Sequence, residues 1–237
     1  QVEVDPSQVV ISSGAKHSLS QCLLSLVDPA DEVLLGAPHW VSYPELIRLA
    51  DGVPVAVAPQ SQTGHRLTPE LLEPHLTPRT AGLILNEPGN PTGTVSSAQE
   101  IAALVEFARD NDLWIISDEI YESLIHDGEL HSPYSVDPQR VSLISGLSKS
   151  FSMTGWRIGW TVCNPPQAAA MGRLQSQNSA NPCSVSQACI ATALEHHDHP
   201  ELLSMYETFR LRRDLMVEGL SGIPGINFSV PGGAFYI

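Results

Sequence analysis

Ala81-Gly82-Leu83-Ile84-Leu85-Asn86-Glu87-Pro88-Gly89-Asn90-Pro91-Thr92-Gly93 is the stretch on which the fold turns. Its first five residues are wholly apolar, the pattern of a strand in a sheet covered on both faces. A strand of a two-faced antiparallel sheet would alternate apolar with polar residues. The run then meets two prolines and two glycines within eight residues, a rigid turn at the strand's end suited to aiming the Asn90 amide at a ligand. Leu113 to Ser117 repeats the pattern and runs into Asp118-Glu119-Ile120-Tyr121. A carboxylate at the mouth of an apolar strand must find a partner, because an unpaired buried charge is costly.

Working outward, further strands are read at Val9–Ile11, Glu32–Leu35, Val53–Val57, Arg140–Ile144 and Ile158–Val162. Helices lie between them at 15–26, 44–50, 71–76 and 97–110, the last with Ile101, Leu104, Val105 and Ala108 on one face. This alternation predicts an α/β fold: three layers, α/β/α, around a mainly parallel seven-stranded sheet. From residue 165 the pattern turns helical, at 165–177, 184–196 and 200–220. The basic residues Arg210, Arg212 and Arg213 on the last of these are read as a solvated face. Residues 226–230 and 234–237 read as strands around Pro231-Gly232-Gly233.

The bulk numbers narrow the function. The chain has 237 residues, 12 Lys+Arg against 26 Asp+Glu, and a net charge of −14. That balance argues against nucleic acid and anionic membranes as partners. No apolar run approaches the roughly 18 residues of a membrane span. Cys22, Cys163, Cys183 and Cys189 lack zinc or disulfide-framework spacing and read as free thiols of a reducing compartment, which gives a cytoplasmic expectation. The run His196-His197-Asp198-His199 reads as a solvated helix end, since successive helical residues point in different directions. No metal site is expected.

Cations are scarce, so their positions inform. Ser12-Ser13-Gly14-Ala15-Lys16 is a small-residue turn between a strand and a helix N-terminus, a ready anion site. Ser145-Gly146-Leu147-Ser148-Lys149 follows a strand, and Arg157 comes eight residues after Lys149 between Gly155 and Gly159. A lysine for chemistry needs a partly desolvated pocket so that its free amine can add to a carbonyl. An arginine's fork suits a phosphate. Trp40 and Tyr43 fall just past another strand's end, where ligands bind in open α/β sheets. Taken singly, each feature also reads as a plain turn, a packing aromatic or a loop with unrelated cations.

Asn90-Pro91-Thr92-Gly93, Asp118-Glu119-Ile120-Tyr121, and Ser148-Lys149 with Thr154-Gly155-Trp156-Arg157-Ile158-Gly159 occur in one order. Together with Ala37-Pro38-His39-Trp40-Val41-Ser42-Tyr43-Pro44 they resemble the class I/II aminotransferases, fold-type-I enzymes of pyridoxal 5'-phosphate, and especially their prokaryotic-type aspartate aminotransferase branch. The resemblance implies a cofactor and a set of roles. Lys149 would form the internal Schiff base and shuttle a proton. Asp118 would keep the pyridine nitrogen protonated. Tyr121 and Asn90 would hydrogen-bond the ring's 3-oxygen, with Asn90 also near the substrate carboxylate. Trp40 would stack on the ring beside the substrate. Gly14, Ala15, Lys16 and Arg157 would hold the phosphate. Gly146 stands where many relatives have a phosphate-binding Ser or Thr, so Ser145 or Ser148 is the expected substitute.

The implied activity is transamination between an amino acid and a 2-oxo acid, in a homodimer. A fold-type-I lyase (of the C–S lyase or aminocyclopropane-carboxylate synthase type) and a non-catalytic regulatory domain on the same fold are the alternatives. The implied division is a cofactor-binding large domain over 1–198, an interdomain helix over 199–222, and the start of a truncated small domain over 223–237. On that view an N-terminal segment and most of the small domain, with its substrate-binding arginine, lie outside this chain.

Overall fold

The computed structural model describes residues 2–59 and 64–237. Seven strands form one sheet: β1 (Val9–Ser12), β2 (Glu32–Gly36), β3 (Val53–Val57), β4 (Thr80–Asn86), β5 (Trp114–Asp118), β6 (Val141–Gly146) and β7 (Gly159–Val162). Their order across the sheet is β1-β7-β6-β5-β4-β2-β3. β3, β2, β4, β5 and β6 are parallel to one another. β7 runs antiparallel to both β6 and β1. The mainly parallel, seven-stranded expectation therefore holds.

The apolar strands divide their side chains by the two-residue period of a pleated strand. Val33, Leu35, Ile84, Ile116 and Ile144 face one layer, packed by Leu19, Cys22 and Leu23 of helix α1 (Ala15–Leu26), Leu46 and Ile47 of α2 (Ser42–Leu49), and Met171 of α6 (Pro165–Asn178). Leu34, Leu83, Leu85 and Ile115 face the other layer. Leu72 of the short α3 (Pro69–Leu72) covers them there, with Ile101, Leu104 and Val105 of α4 (Ala98–Asp110). Neighbouring residues of one strand thus enter opposite cores, which is why the sequence could afford no polar alternation. α4 starts where Ser97 and Glu100 form a reciprocal capping box: Ser97 Oγ accepts from Glu100 N–H at 3.3 Å and Glu100 accepts from Ser97 N–H at 2.7 Å. A single turn, α5 (Leu147–Ser150), follows β6, and α7 (Ser184–Glu195) and α8 (Pro200–Ser221) complete the chain's helices among the described residues.

Two expectations are corrected. Residues 226–230 and 234–237 form no strand; a lone bridge between Ile125 and Gly233 is all the pairing there. Neither segment pairs with a strand of the sheet, and an unsupported two-stranded hairpin is marginal in water. The segment instead docks as a turn: Gly232 and Gly233 N–H donate to Gly93 O, and Ala234 N–H donates to Leu124 O at 2.8 Å. Arg213 is not on a solvated face. Its side chain is only 9% exposed and pairs with Asp127, Asp214 and the Pro231 carbonyl. Arg212 is exposed, and the four residues 196–199 lie exposed between α7 and α8, as read.

Candidate active site

The register of the sheet brings the suspect residues to one edge. Asn86 of β4 lies beside Asp118 of β5, and Asp118 beside Ile144 of β6. Gly146, the end of β6, lies beside Gly159 at the start of β7, which in turn lies beside Ser12 at the end of β1. The loops that leave β1, β4, β5 and β6 at this edge, and the one that enters β7, contribute to the lining of one space. That space is a cavity of about 300 Å³ whose lining includes Lys16, Trp40, Asn90, Asp118, Tyr121, Lys149, Arg157 and Ala15. Of the nine residues singled out in the sequence, only Gly14 does not line it. Gly14 stands directly behind, as the N-cap of α1.

At one end the cavity is built for an anion. The N–H groups of Ala15 and Lys16 open α1 and have no acceptor within the helix. Gly14 holds φ +91°, a conformation L-residues rarely adopt, and a Cβ there would run into the Arg157 guanidinium. A Cβ on Gly159 would likewise collide with the backbone of Gly14 and Ala15. Glycine at both positions lets the Arg157 fork lie against the helix start. Arg157 is held there by its own bonds to the carbonyls of Thr154 (2.9 Å) and Ser13 (3.4 Å). The two serines after β6 differ in direction. Ser148 lines the cavity, whereas Ser145 Oγ donates to Glu122 at 2.7 Å, away from it.

At the other end sits a buried acid. Asp118 is 3% exposed, and none of the described cations pairs with it. Tyr43 O–H donates to its Oδ2 at 2.7 Å and Ile120 N–H to its Oδ1 at 3.3 Å. Burial pushes the carboxyl up to about 6 despite these two donors. The same burial, with the carboxylate next to it, drives the Tyr43 phenol well above its ordinary range. This is a site that would gain from a protonated ring nitrogen: it offers a negative group already desolvated and still lacking a positive partner.

Between the two ends stands Lys149, half-buried on α5. Its Nζ lies 5.8 Å from the Tyr121 ring centroid and 5.3 Å from that of Phe235, with no ion pair among the described residues. Tyr121 O–H receives the Asn90 amide at 3.4 Å and lies 2.7 Å from Tyr236 O–H. Burial first, then Tyr236, raises the Tyr121 phenol far above its usual value. Lys16 reaches over the Trp40 ring, 4.8 Å from its centroid, and Trp40 meets Tyr43 edge-on. Sequence reasoning did not assign Tyr43 or Tyr236. Tyr43 carried the same strand-end signal as Trp40; Tyr236 was hidden by reading its segment as a strand.

The residues fit the implied cofactor on structural grounds. An anion cradle that a Cβ on Gly14 would fill, a buried carboxylate without a cation and a lysine without an ion pair among the described residues line one cavity of suitable size for a heterocyclic phosphate.

The chain is similar to known proteins along its whole length. The family model "Aminotransferase class I and II" matches residues 1–237. The chain is 42% identical to the aspartate/prephenate aminotransferase of Cereibacter sphaeroides, over 98% of the chain and 59% of that protein. It is 39% identical to the aspartate aminotransferase of Geobacillus stearothermophilus, covering 100% of the chain and 61% of that relative. Among solved structures, Thermus thermophilus aspartate aminotransferase with maleate superposes with a TM-score of 0.94 at 37% identity, across 98% of this chain and 61% of that one. The chain thus spans about three fifths of the length of these relatives.

Proposed function

We propose pyridoxal-phosphate-dependent amino transfer, between an amino acid and a 2-oxo acid, for this chain, which belongs to the aminotransferase class I and II family. One observation carries the reading: a lysine without an ion pair among the described residues, a buried carboxylate without a cation and an anion cradle line a single cavity. When bound, pyridoxal phosphate supplies an electron sink for the pair left as a substrate Cα loses its proton.

The chain's residues supply the rest. Ala15 and Lys16 N–H, Ser148 and the Arg157 fork would hold the phosphate, with Gly14 leaving room for them. Asp118 would bind the ring nitrogen and keep a proton on it, and Tyr43 holds the Asp118 carboxylate in place through its Oδ2. Tyr121 and Asn90 would donate to the ring's 3-oxygen, and Trp40 would cover a ring face. Lys149, whose Nζ stands between the two ends of the cavity, would be the amine that engages the cofactor carbonyl and the base that takes the substrate Cα proton. Burial of Asp118 and Tyr121 strengthens each of these interactions by excluding water. We further infer a homodimer, a cytoplasmic setting, and the division into a large domain (1–198), connecting helix (199–222) and small-domain start (223–237) that the resemblance implies. The relatives' names make aspartate the first donor to test.

The test is spectroscopic. Mixed with pyridoxal phosphate, the protein gives a pH-sensitive visible band, and Lys149→Ala does not. If the wild type shows no such band, or the variant retains it, the assignment is wrong. Conversion of a 2-oxo acid in the presence of aspartate then reads the transfer itself.

A further inference from the structure

We propose that Tyr236 is a positioning residue of this site: its hydroxyl donates to the Tyr121 oxygen and thereby turns the Tyr121 proton into the cavity, toward the cofactor's ring oxygen. The inference rests on the pyridoxal-phosphate reading above.

Proton counting sets the direction. A phenol oxygen has one proton to give and can accept two. The Asn90 amide nitrogen can only donate, so one acceptor position of Tyr121 is taken at 3.4 Å. The 2.7 Å contact between the Tyr121 and Tyr236 oxygens can run either way. If Tyr121 donated to Tyr236, its single proton would be spent on the wall. The Tyr236 proton would then have no acceptor among the described residues. If Tyr236 donates, both acceptor positions of Tyr121 are filled by Asn90 and Tyr236, and its own proton is directed at what remains, the cavity. Tyr236 lines the same cavity, so the opposite direction would present the Tyr236 proton there instead; Tyr121 can give its own proton to an oxygen in the cavity in this direction alone.

The surroundings hold the pair in register. Tyr121 meets Tyr236 edge-on with centroids 5.8 Å apart and meets Phe235 edge-on at 5.3 Å, while Phe235 stacks on Phe209 of α8 at 5.6 Å. The Pro231–Ala234 turn that delivers these rings is keyed to both partner loops. Gly232 and Gly233 N–H bond Gly93 O on the Asn90 loop, while His126 and Asp127 N–H bond Gly232 O from beyond Tyr121. A Cβ on Gly233 would press on Pro88. The charged and titratable groups around the pair are Asp118 from β5, Tyr43 from α2, Lys149 from α5, Tyr206 from α8, Lys16 and Arg157 across the cavity, and Arg212 and Arg213 beside Tyr236.

A hydrogen bond received by Tyr121 makes it the stronger donor. Donation to the ring oxygen stabilises negative charge there, so it lowers the pH midpoint of the bound cofactor's visible band. The experiment records that midpoint for the pyridoxal-phosphate-loaded chain as wild type, Tyr121→Phe, Tyr236→Phe and the double variant, with urea unfolding to confirm that each is folded. Tyr121→Phe should raise the midpoint. Tyr236→Phe should raise it by roughly 0.5 unit, a fraction of that effect. In the Tyr121→Phe background it should add nothing, a dependence that general loosening of the pocket would not show. A midpoint unchanged or lowered by Tyr236→Phe, or an equal rise in both backgrounds, overturns the proposal. Absence of any band in the wild type would instead overturn the cofactor reading, and this inference with it.

Discussion

Asp118→Asn should stabilise the cofactor-free protein at pH 8 while removing its use for the cofactor. The carboxyl titrates at about 6 in the fold against an ordinary value of 3.8, chiefly because burial penalises its charge. A group whose folded value is the higher one binds more protons folded than unfolded between the two values. Stability is therefore greatest below about 4 and is lost as pH rises through about 6. Two units correspond to about 3 kcal/mol charged against the fold at pH 8. Asparagine removes that cost with little change of shape. Its oxygen can keep the Ile120 N–H bond, and the Tyr43 hydroxyl can rotate from donor to acceptor toward the new amide. Urea unfolding followed by tryptophan fluorescence, on both proteins at steps from pH 4 to pH 8, gives the difference directly. The variant's advantage should be near zero at pH 4, grow between pH 4 and 6, and level off at about 2–3 kcal/mol. Saturating pyridoxal phosphate should reverse the ranking at pH 8, because the wild-type carboxylate then gains its cationic partner. A difference that is flat across the pH range, or one that favours aspartate at pH 8 without cofactor, would refute the reasoning.

Gly14→Ala places a Cβ against the Arg157 guanidinium and forces an L-residue to φ +91°. We expect a loss of about 1–3 kcal/mol of stability and at least a tenfold weaker pyridoxal phosphate affinity, read by unfolding and by spectral titration. Thiol reactivity should split the cysteines: Cys183 is exposed and Cys189 half-exposed, whereas burial pushes the thiols of Cys22 and Cys163 up to about 12. A chromogenic disulfide reagent should report two fast thiols in the native protein and four in denaturant.

The fold was legible because its strands are buried on both sides. Leu83, Ile84 and Leu85 enter two different cores, so the sequence shows an unbroken apolar run where a one-faced sheet would have shown alternation. The site was legible where a residue type and a strand end coincide, as at Asp118 and Asn90. It was not legible where the decisive fact is a direction. Ser145 and Ser148 flank the same turn with the same hydroxyl, and only the backbone reversal after β6 sends one to Glu122 and the other to the cavity. Tyr236 failed for a different reason. Its β-prone neighbours predicted a strand, but a strand needs a partner, and packing against Tyr121 and Phe209 fixed the segment instead. Arg213 was misread because charge on a helix says nothing about which acids will fold against it.

The cluster after β5 shows how a site of this kind is set apart from the charge around it. Asp118, Glu119 and Glu122 are all buried or nearly so, and burial raises all three; Glu119 reaches about 7. Glu119 is answered by two hydroxyls, Ser117 at 2.8 Å and Ser132 at 2.6 Å, and Glu122 by Ser145. Neutral partners of this sort satisfy lone pairs without fixing the charge, and protonation can relieve what remains. Both glutamates spend these bonds on the scaffold. Asp118 differs in where it points, since the strand's alternation turns it to the cavity while Glu119 turns back to Ser117. Its two donors leave it short of a positive charge at the one place where a ligand can supply it. The instability that Asp118→Asn would relieve and the affinity it would forfeit are thus the same unpaired charge, measured without the cofactor and with it.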